Sequence, residues 1–174
     1  LTSGAMSGVM KVSYVLDTYT LLPDTQYRFS LAVKPLSPSL LSFALSTTAS
    51  IDINTNGPPL PGTFTIDPQV GIELVDDFLF TALNWIDVDL PIKYQFGVID
   101  SASNAFKPIT SRSGISSFQS YLPAGDALSR VGAYTLRCMV IVSDHYNAQA
   151  ESQTNIVVRP EVNATGSEVS ISVR

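Results

Sequence analysis

Residues 134–142 read YTLRCMVIV, and this stretch decides the fold class of the chain. Every second side chain in it is apolar or aromatic, at positions Tyr134, Leu136, Cys138, Val140 and Val142. Because successive side chains of a β-strand point to opposite faces, this spacing indicates a strand with a buried face. Met139 and Ile141 make the opposite face apolar as well, which predicts a central strand in its sheet.

The same two-residue period recurs along the chain, and no segment sustains the 3.6-residue period of an amphipathic helix. Tyr27, Phe29, Leu31 and Val33 alternate with polar residues, so their strand is predicted to be half buried. Further strand-like runs are bounded by turn-forming residues and lie at 62–66, 78–85, 92–99, 114–121, 134–142 and 154–158. The chain is therefore predicted to be all-β.

A proline-rich stretch divides the chain. Residues 54–62 read NTNGPPLPG, with three prolines and two glycines that the interior of a sheet does not accommodate. The six or seven strands predicted for 58–160 match one β-sandwich, which takes about 100 residues. Residues 1–57 are then the C-terminal part of another module, and 161–174 a connector with an extended stretch, 168–173, that belongs to a following module or completes the first.

Composition excludes several classes of protein. With 45% hydrophobic and 14% charged residues, the 174-residue chain is too apolar for a disordered segment. A net charge of −5 offers no basic surface to nucleic acid. Its longest apolar run, residues 138–142, is far shorter than the roughly 18 residues of a membrane-spanning helix, so no membrane insertion is expected. Because no initiator Met or signal sequence opens it, the chain is interpreted as an interior segment of a longer protein.

Residues 18–34, TYTLLPDTQYRFSLAVK, resemble the E–F corner of fibronectin type III domains through Leu22, Pro23, Thr25 and Tyr27. In that corner a proline-led turn precedes strand F, and the Tyr hydroxyl bonds back to the backbone. The strands that should precede the corner do not fit into the 17 residues before Thr18. The resemblance therefore implies an incomplete fibronectin-like module.

A second resemblance covers residues 62–99, GTFTIDPQVGIELVDDFLFTALNWIDVDLPIKYQFGVI. This stretch is similar to the receptor-for-egg-jelly (REJ) region of polycystins and sperm receptors. The matching residues are Gly62, Asp67, Pro68, Gly71, Phe78, Phe80, Trp85, Asp87, Asp89, Leu90, Pro91, Tyr94 and Phe96. The resemblance implies tandem immunoglobulin-like or fibronectin type III-like sandwiches, one complete and one partial, in an extracellular, membrane-anchored surface protein that could be ciliary. Its partners would be neighbouring modules, other surface or matrix proteins, and glycans.

Three carboxylates could form a metal site. Asp87 and Asp89 fall on the predicted loop after the strand at 78–85, and Asp144 follows the strand at 134–142, so all three are expected at one pole of the sandwich. Oxygen ligands of this kind suit Ca²⁺. The alternative is that these carboxylates bond nearby backbone groups and shape their own turns.

Other residues carry weaker functional signals. Ser143, Asp144 and His145 spell a catalytic triad, but neighbouring residues on a strand point to opposite faces and cannot relay a proton, so no enzyme is expected. Trp85 could stack on a sugar, although its place after an apolar run favours the core. Asn163 begins an N-glycosylation sequon, which occurs in glycoproteins and also by chance.

The chain has a single cysteine, Cys138. Sandwiches of this kind often join a cysteine on strand B, here predicted at 78–85, to one on strand F, here predicted at 134–142. At the strand-B position this chain has Ala82 and Leu83. Cys138 is therefore expected to be a buried free thiol.

These observations favour a non-catalytic extracellular structural or adhesion segment without a required cofactor. The alternatives are a calcium-dependent or carbohydrate-binding module, and an accessory β-domain of a secreted enzyme.

Overall fold

The computed structural model describes residues 13–33, 47–127 and 132–161. These residues form ten strands and no helix, which confirms the all-β prediction. The chain separates into two compact units, Leu1–Asn56 and Gly57–Arg174, and the division falls within the proline-rich stretch. Among the described ranges, no helix is long and apolar enough to cross a membrane.

The first unit contains an antiparallel pair, β1 (Gln26–Val33) and β2 (Thr47–Asn54). Its register places the apolar residues of both strands on one face, namely Tyr27, Phe29, Leu31, Val33, Ala49, Ile51 and Ile53. The predicted half-buried face is partly buried at Tyr27 and Phe29, but Leu31 and Val33 are 49% and 59% exposed. Within the described residues of this unit, no second sheet covers the apolar face.

The described residues of the second unit form eight strands. They are β3 (Thr63–Asp67), β4 (Val70–Ile72), β5 (Asp77–Leu83), β6 (Lys93–Ile99), β7 (Phe106–Pro108), β8 (Ser117–Tyr121), β9 (Thr135–Ser143) and β10 (Gln149–Arg159). One sheet has the order β3-β5-β8 and the other β4-β10-β9-β6-β7. All pairs are antiparallel except β4 with β10. The first two strands of this unit, β3 and β4, therefore belong to different sheets.

The two sheets enclose a common apolar core. The rings of Phe80 on β5 and Phe96 on β6 lie 5.9 Å apart in an edge-to-face arrangement, so they join the sheets directly. Buried core residues come from both sheets: Phe64, Ile66, Phe78, Phe80, Ala82, Trp85, Phe96, Leu122, Cys138, Val140, Val142, Ile156 and Val158. This arrangement is a β-sandwich.

Strand β9 lies between β10 and β6, which confirms the predicted central position of residues 134–142. Trp85 is only 6% exposed and belongs to the core, as its sequence context favoured. It packs beside Gly62, where an added Cβ would come within 2.7 Å of the Trp85 Cδ1 atom and 2.1 Å of the Leu83 carbonyl oxygen. Glycine at position 62 therefore allows the chain to pass close to Trp85.

Candidate functional site

The loops that carry the three predicted carboxylates meet at one pole of the second unit. Asp87 and Asp89 lie between β5 and β6, and Asp144 directly follows β9. Because β6 pairs with β9 in the register Lys93↔Ser143, the start of one strand lies beside the end of the other. The two loops are therefore adjacent, and the backbone N–H of His145 donates a hydrogen bond of 2.9 Å to the carbonyl oxygen of Asp89.

Each of the three side chains places one carboxylate oxygen within 4.8 Å of the other two. Asp144 is 1% exposed, whereas Asp87 and Asp89 are partly exposed. Two oxygens on opposite sides of a Ca²⁺ ion lie about 4.8 Å apart when each bond is about 2.4 Å, so this spacing is compatible with ligands of one ion. Like charges at such a distance repel one another, and a divalent cation would offset that repulsion.

The same carboxylates also shape their turns. Asp87 Oδ1 accepts a hydrogen bond of 2.7 Å from the backbone N–H of Asp89, and Asp144 Oδ1 accepts one of 2.9 Å from that of Ala148. Both bonds fit the structural alternative considered from the sequence. Because they fix the direction of the Asp87 and Asp144 carboxylates, they hold two members of the cluster in place, so the two interpretations are compatible.

The residues that spell a triad, Ser143, Asp144 and His145, differ in exposure. The side chains of Ser143 and Asp144 are buried, whereas His145 is exposed and its ring contacts the ring of Tyr146 at 5.1 Å in an edge-to-face arrangement. β9 ends at Ser143, so Asp144 and His145 follow the strand and its alternation does not extend to them.

Glu73 is a buried charged residue with a structural role that sequence reasoning missed. Only 3% exposed, it follows β4 and accepts hydrogen bonds from the backbone N–H of Ala124 at 3.1 Å and of Glu161 at 3.3 Å. One carboxylate thus joins the turn after β4, the segment after β8 and the end of β10. Nothing in the sequence around position 73 distinguishes this glutamate from a solvated one.

A groove of about 600 Å³ lies around the end of β6 and the start of β9. It contains the ion pair between Lys107 and Asp100, and this pair, together with hydrogen bonds from Ser103, lowers the pKa of the Asp100 carboxyl well below its usual range. Arg137 donates a hydrogen bond of 2.6 Å to the Asn104 side chain. Lys107 and Asp100 therefore neutralise each other, whereas the Arg137 guanidinium is held by a neutral amide.

Cys138 is a buried free thiol, as predicted. Burial raises its pKa from 9.0 to about 12, so the thiol stays protonated and unreactive at neutral pH. Asn163, the predicted glycosylation site, lies outside the described residues.

The first unit contains the predicted tyrosine corner. The backbone N–H of Leu22 donates a hydrogen bond of 2.7 Å to the Tyr27 hydroxyl, five residues along the chain. On the polar face of the hairpin, Arg28 binds Asp52 through two bonds of 2.7 and 2.8 Å. This pair raises the pKa of Arg28 and lowers that of Asp52.

The fold and the pole together define a β-sandwich module with an acidic loop cluster, preceded by a smaller unit with a tyrosine corner. A family model for the REJ domain matches residues 1–172, so the chain belongs to the REJ domain family, as its resemblance over residues 62–99 implied. REJ domains are extracellular domains of membrane proteins. No curated protein matches the chain.

Proposed function

We propose that the chain is a non-catalytic segment of a polycystin-like or other REJ-containing surface protein, where it spaces neighbouring modules and makes protein contacts. The match of the REJ family model to residues 1–172 carries this proposal. The two packed sheets of the second unit support it, since they form a stiff body with exposed edges and loops. The partners would be adjacent modules and other surface or matrix proteins.

A replacement experiment separates spacing from contact. In the parent protein, the segment is exchanged for an unrelated pair of folded sandwiches of similar length, and surface delivery and cell adhesion are measured. A spacer function predicts that the exchange restores adhesion, whereas a contact function predicts normal delivery and lost adhesion. Normal adhesion after complete deletion of the segment would refute both.

A second candidate function, calcium binding at the loop pole, is favoured by the convergence of Asp87, Asp89 and Asp144 within 4.8 Å. Backbone carbonyls of the same loops and water would complete the six to eight oxygen ligands that Ca²⁺ takes. A bound ion would hold the two loops together and could offer an open position to a glycan hydroxyl. If a glycan hydroxyl binds there, the second unit would recognise carbohydrate in a calcium-dependent way.

Terbium luminescence tests metal binding without reference to any partner. Tb³⁺ replaces Ca²⁺ in oxygen sites, and Trp85, two residues before Asp87, is the single tryptophan that could sensitise it. We expect luminescence that Ca²⁺ displaces in the wild type and that is lost in Asp89→Asn. Equal luminescence in the two proteins would show that the cluster binds no ion.

A further inference from the structure

The strands of the second unit that lie nearest its entry and its exit run in the same direction. β3 begins at Thr63, which pairs with Leu83 at the end of β5, so the chain enters at the loop pole. β10 begins at the same pole, where Gln149 pairs with Ser143, and runs to Arg159 at the opposite pole. Tension between entry and exit therefore acts along the strands.

Strands β4 and β10 connect the entry side of this unit to its exit side. The three residues of β4 pair in parallel with the last three residues of β10. At one end of this ladder the Val157 N–H donates a hydrogen bond of 2.9 Å to the Gln69 carbonyl oxygen, and at the other end the Glu73 N–H donates one of 2.8 Å to the Arg159 carbonyl oxygen. The bonds of a parallel ladder are evenly spaced between such ends.

The direction of tension decides how this ladder breaks. A pull at the entry draws β4 toward the loop pole, and a pull at the exit draws β10 away from it, so the two strands slide past each other. Because the ladder bonds run between the strands, across the direction of sliding, they must break together rather than one after another. The entry strand β3 is held as well, since its Phe64 and Ile66 side chains belong to the core.

The Glu73 side chain strengthens the exit end of the ladder. Its carboxylate is buried and accepts hydrogen bonds from the backbone N–H groups of Ala124 at 3.1 Å and Glu161 at 3.3 Å. Hydrogen bonds to a charged acceptor are stronger than those between neutral groups. The carboxylate therefore holds Glu161, where the chain has left β10, against the turn that follows β4.

We propose that this ladder and the Glu73 carboxylate, residues 69–73 with 157–161, form a clamp that keeps the second unit folded under tension. The proposal rests on the spacing function proposed above, since a spacer under tension must keep its length. The clamp bonds break on the way to the unfolding barrier. A weakened clamp should therefore speed forced unfolding, whereas weakened packing that is still intact at the barrier should not.

Single-molecule force spectroscopy of the full 174-residue chain tests the direction of tension. Handles at Pro58→Cys and Glu161→Cys, both exposed positions, pull the second unit from entry to exit. Handles at Ala133→Cys and Glu161→Cys instead peel the end of β10 from the start of β9, so the bonds between these strands open one after another. Cys138 is buried and offers no further attachment site. We expect a higher unfolding force from entry to exit than in peeling.

Variants at constant entry-to-exit tension test the clamp itself. Val157→Pro removes the donor to Gln69 and should speed unfolding by roughly fivefold or more. Glu73→Gln, which removes the charge and keeps the side-chain size, should also speed it and serves if the proline variant fails to fold. Phe118→Leu is the control, because it removes ring contact with Phe80 in the sheet that lacks both clamp strands. It should lower the midpoint of urea unfolding and leave the rate under tension within about twofold of the wild type.

Three results would overturn the proposal. They are equal forces in the two pulling directions, clamp variants that unfold no faster than the wild type, and a Phe118→Leu protein that unfolds under tension as fast as the clamp variants. The replacement experiment on adhesion measures the parent protein and is unaffected by these results, so a failure of the clamp and a failure of the spacing function are distinguishable.

Discussion

Replacing Asp144 by Asn should have opposite effects on stability with and without calcium. Asn keeps the oxygen that accepts the hydrogen bond from Ala148 and removes the negative charge. At 4.8 Å, the upper bound of the cluster, two unit charges repel by about 0.9 kcal/mol in water and about 3.5 kcal/mol at an effective dielectric constant of 20. Asp144 faces two such charges, so after screening by salt its removal should stabilise the calcium-free protein by about 1 kcal/mol.

Calcium should reverse that order. A site of the affinity found in extracellular modules, with a Kd of roughly 0.1–1 mM, stabilises the folded state by about 1.4–2.7 kcal/mol in 10 mM Ca²⁺. For a unit of this size, 1 kcal/mol corresponds to roughly 4 °C in Tm. The wild type should therefore gain about 6–11 °C between EDTA and 10 mM Ca²⁺, and Asp144→Asn should gain almost nothing.

Trp85 fluorescence is a suitable assay, since the single tryptophan lies in the core of the second unit and reports its unfolding. Asp77→Asn is the matched control, because it removes the same charge from an exposed position at the far end of β5. It should gain as much from Ca²⁺ as the wild type. A gain that is equal in all three proteins, or absent from the wild type, would refute the reasoning.

Three further predictions concern single side chains. Cys138 should react with a thiol reagent only as the protein unfolds. Folding raises the pKa of this thiol from 9.0 to about 12, so the stability that the protonated thiol contributes should be present below pH 9 and lost as the pH rises toward 12. Urea titrations across that pH range would measure the loss. Ser143→Ala should stabilise the protein by about 1 kcal/mol in urea unfolding, because the Ser143 hydroxyl is buried without a hydrogen-bond partner among the described residues, and an unchanged or lower midpoint would contradict this. Tyr27→Phe should leave the Leu22 N–H without its acceptor and increase hydrogen exchange there, while Tyr14→Phe, at an exposed tyrosine, should not.

The sequence predicted the parts of the fold that depend on local pattern. The alternation around Cys138 was sufficient to predict a central strand, and the segment from Leu22 to Tyr27 was sufficient to predict the tyrosine corner. Both signals are local, since a strand period and a short turn motif are contained in fewer than ten residues. The strand β2 was missed, although Ile51 and Ile53 alternate with polar residues there.

The short strands β4 and β7 were also missed. Each has three residues, too few to display a period, and each exists because a longer strand offers it an edge. Val70 pairs with Val157, and Phe106 with Ile99, in partnerships that depend on tertiary structure alone. The role of Glu73 is hidden for the same reason, because its hydrogen-bond donors are 51 and 88 residues away.

The candidate pole was more accessible to sequence reasoning than Glu73. Two loops at the same end of a sandwich are neighbours whenever the strands before and after them pair, as β6 and β9 do. That rule brings Asp87, Asp89 and Asp144 to one end of the fold, but it does not give the orientation of their carboxylates. The orientation depends on the hydrogen bonds from Asp89 and Ala148, which only coordinates reveal.

On the apolar face of the first unit, an amphipathic sequence pattern is not accompanied by burial. Period-two alternation in β1 and β2 prepares one face for burial, yet Leu31, Val33 and Ile51 are 49–61% exposed. A two-stranded sheet is at best marginally stable by itself in water, since it buries little apolar surface. The described residues of this hairpin therefore bury too little apolar surface to stabilise it well. In hydrogen exchange of the 174-residue chain, the amides of β1 and β2 should exchange much faster than those of β9, and equal protection of the two would contradict this.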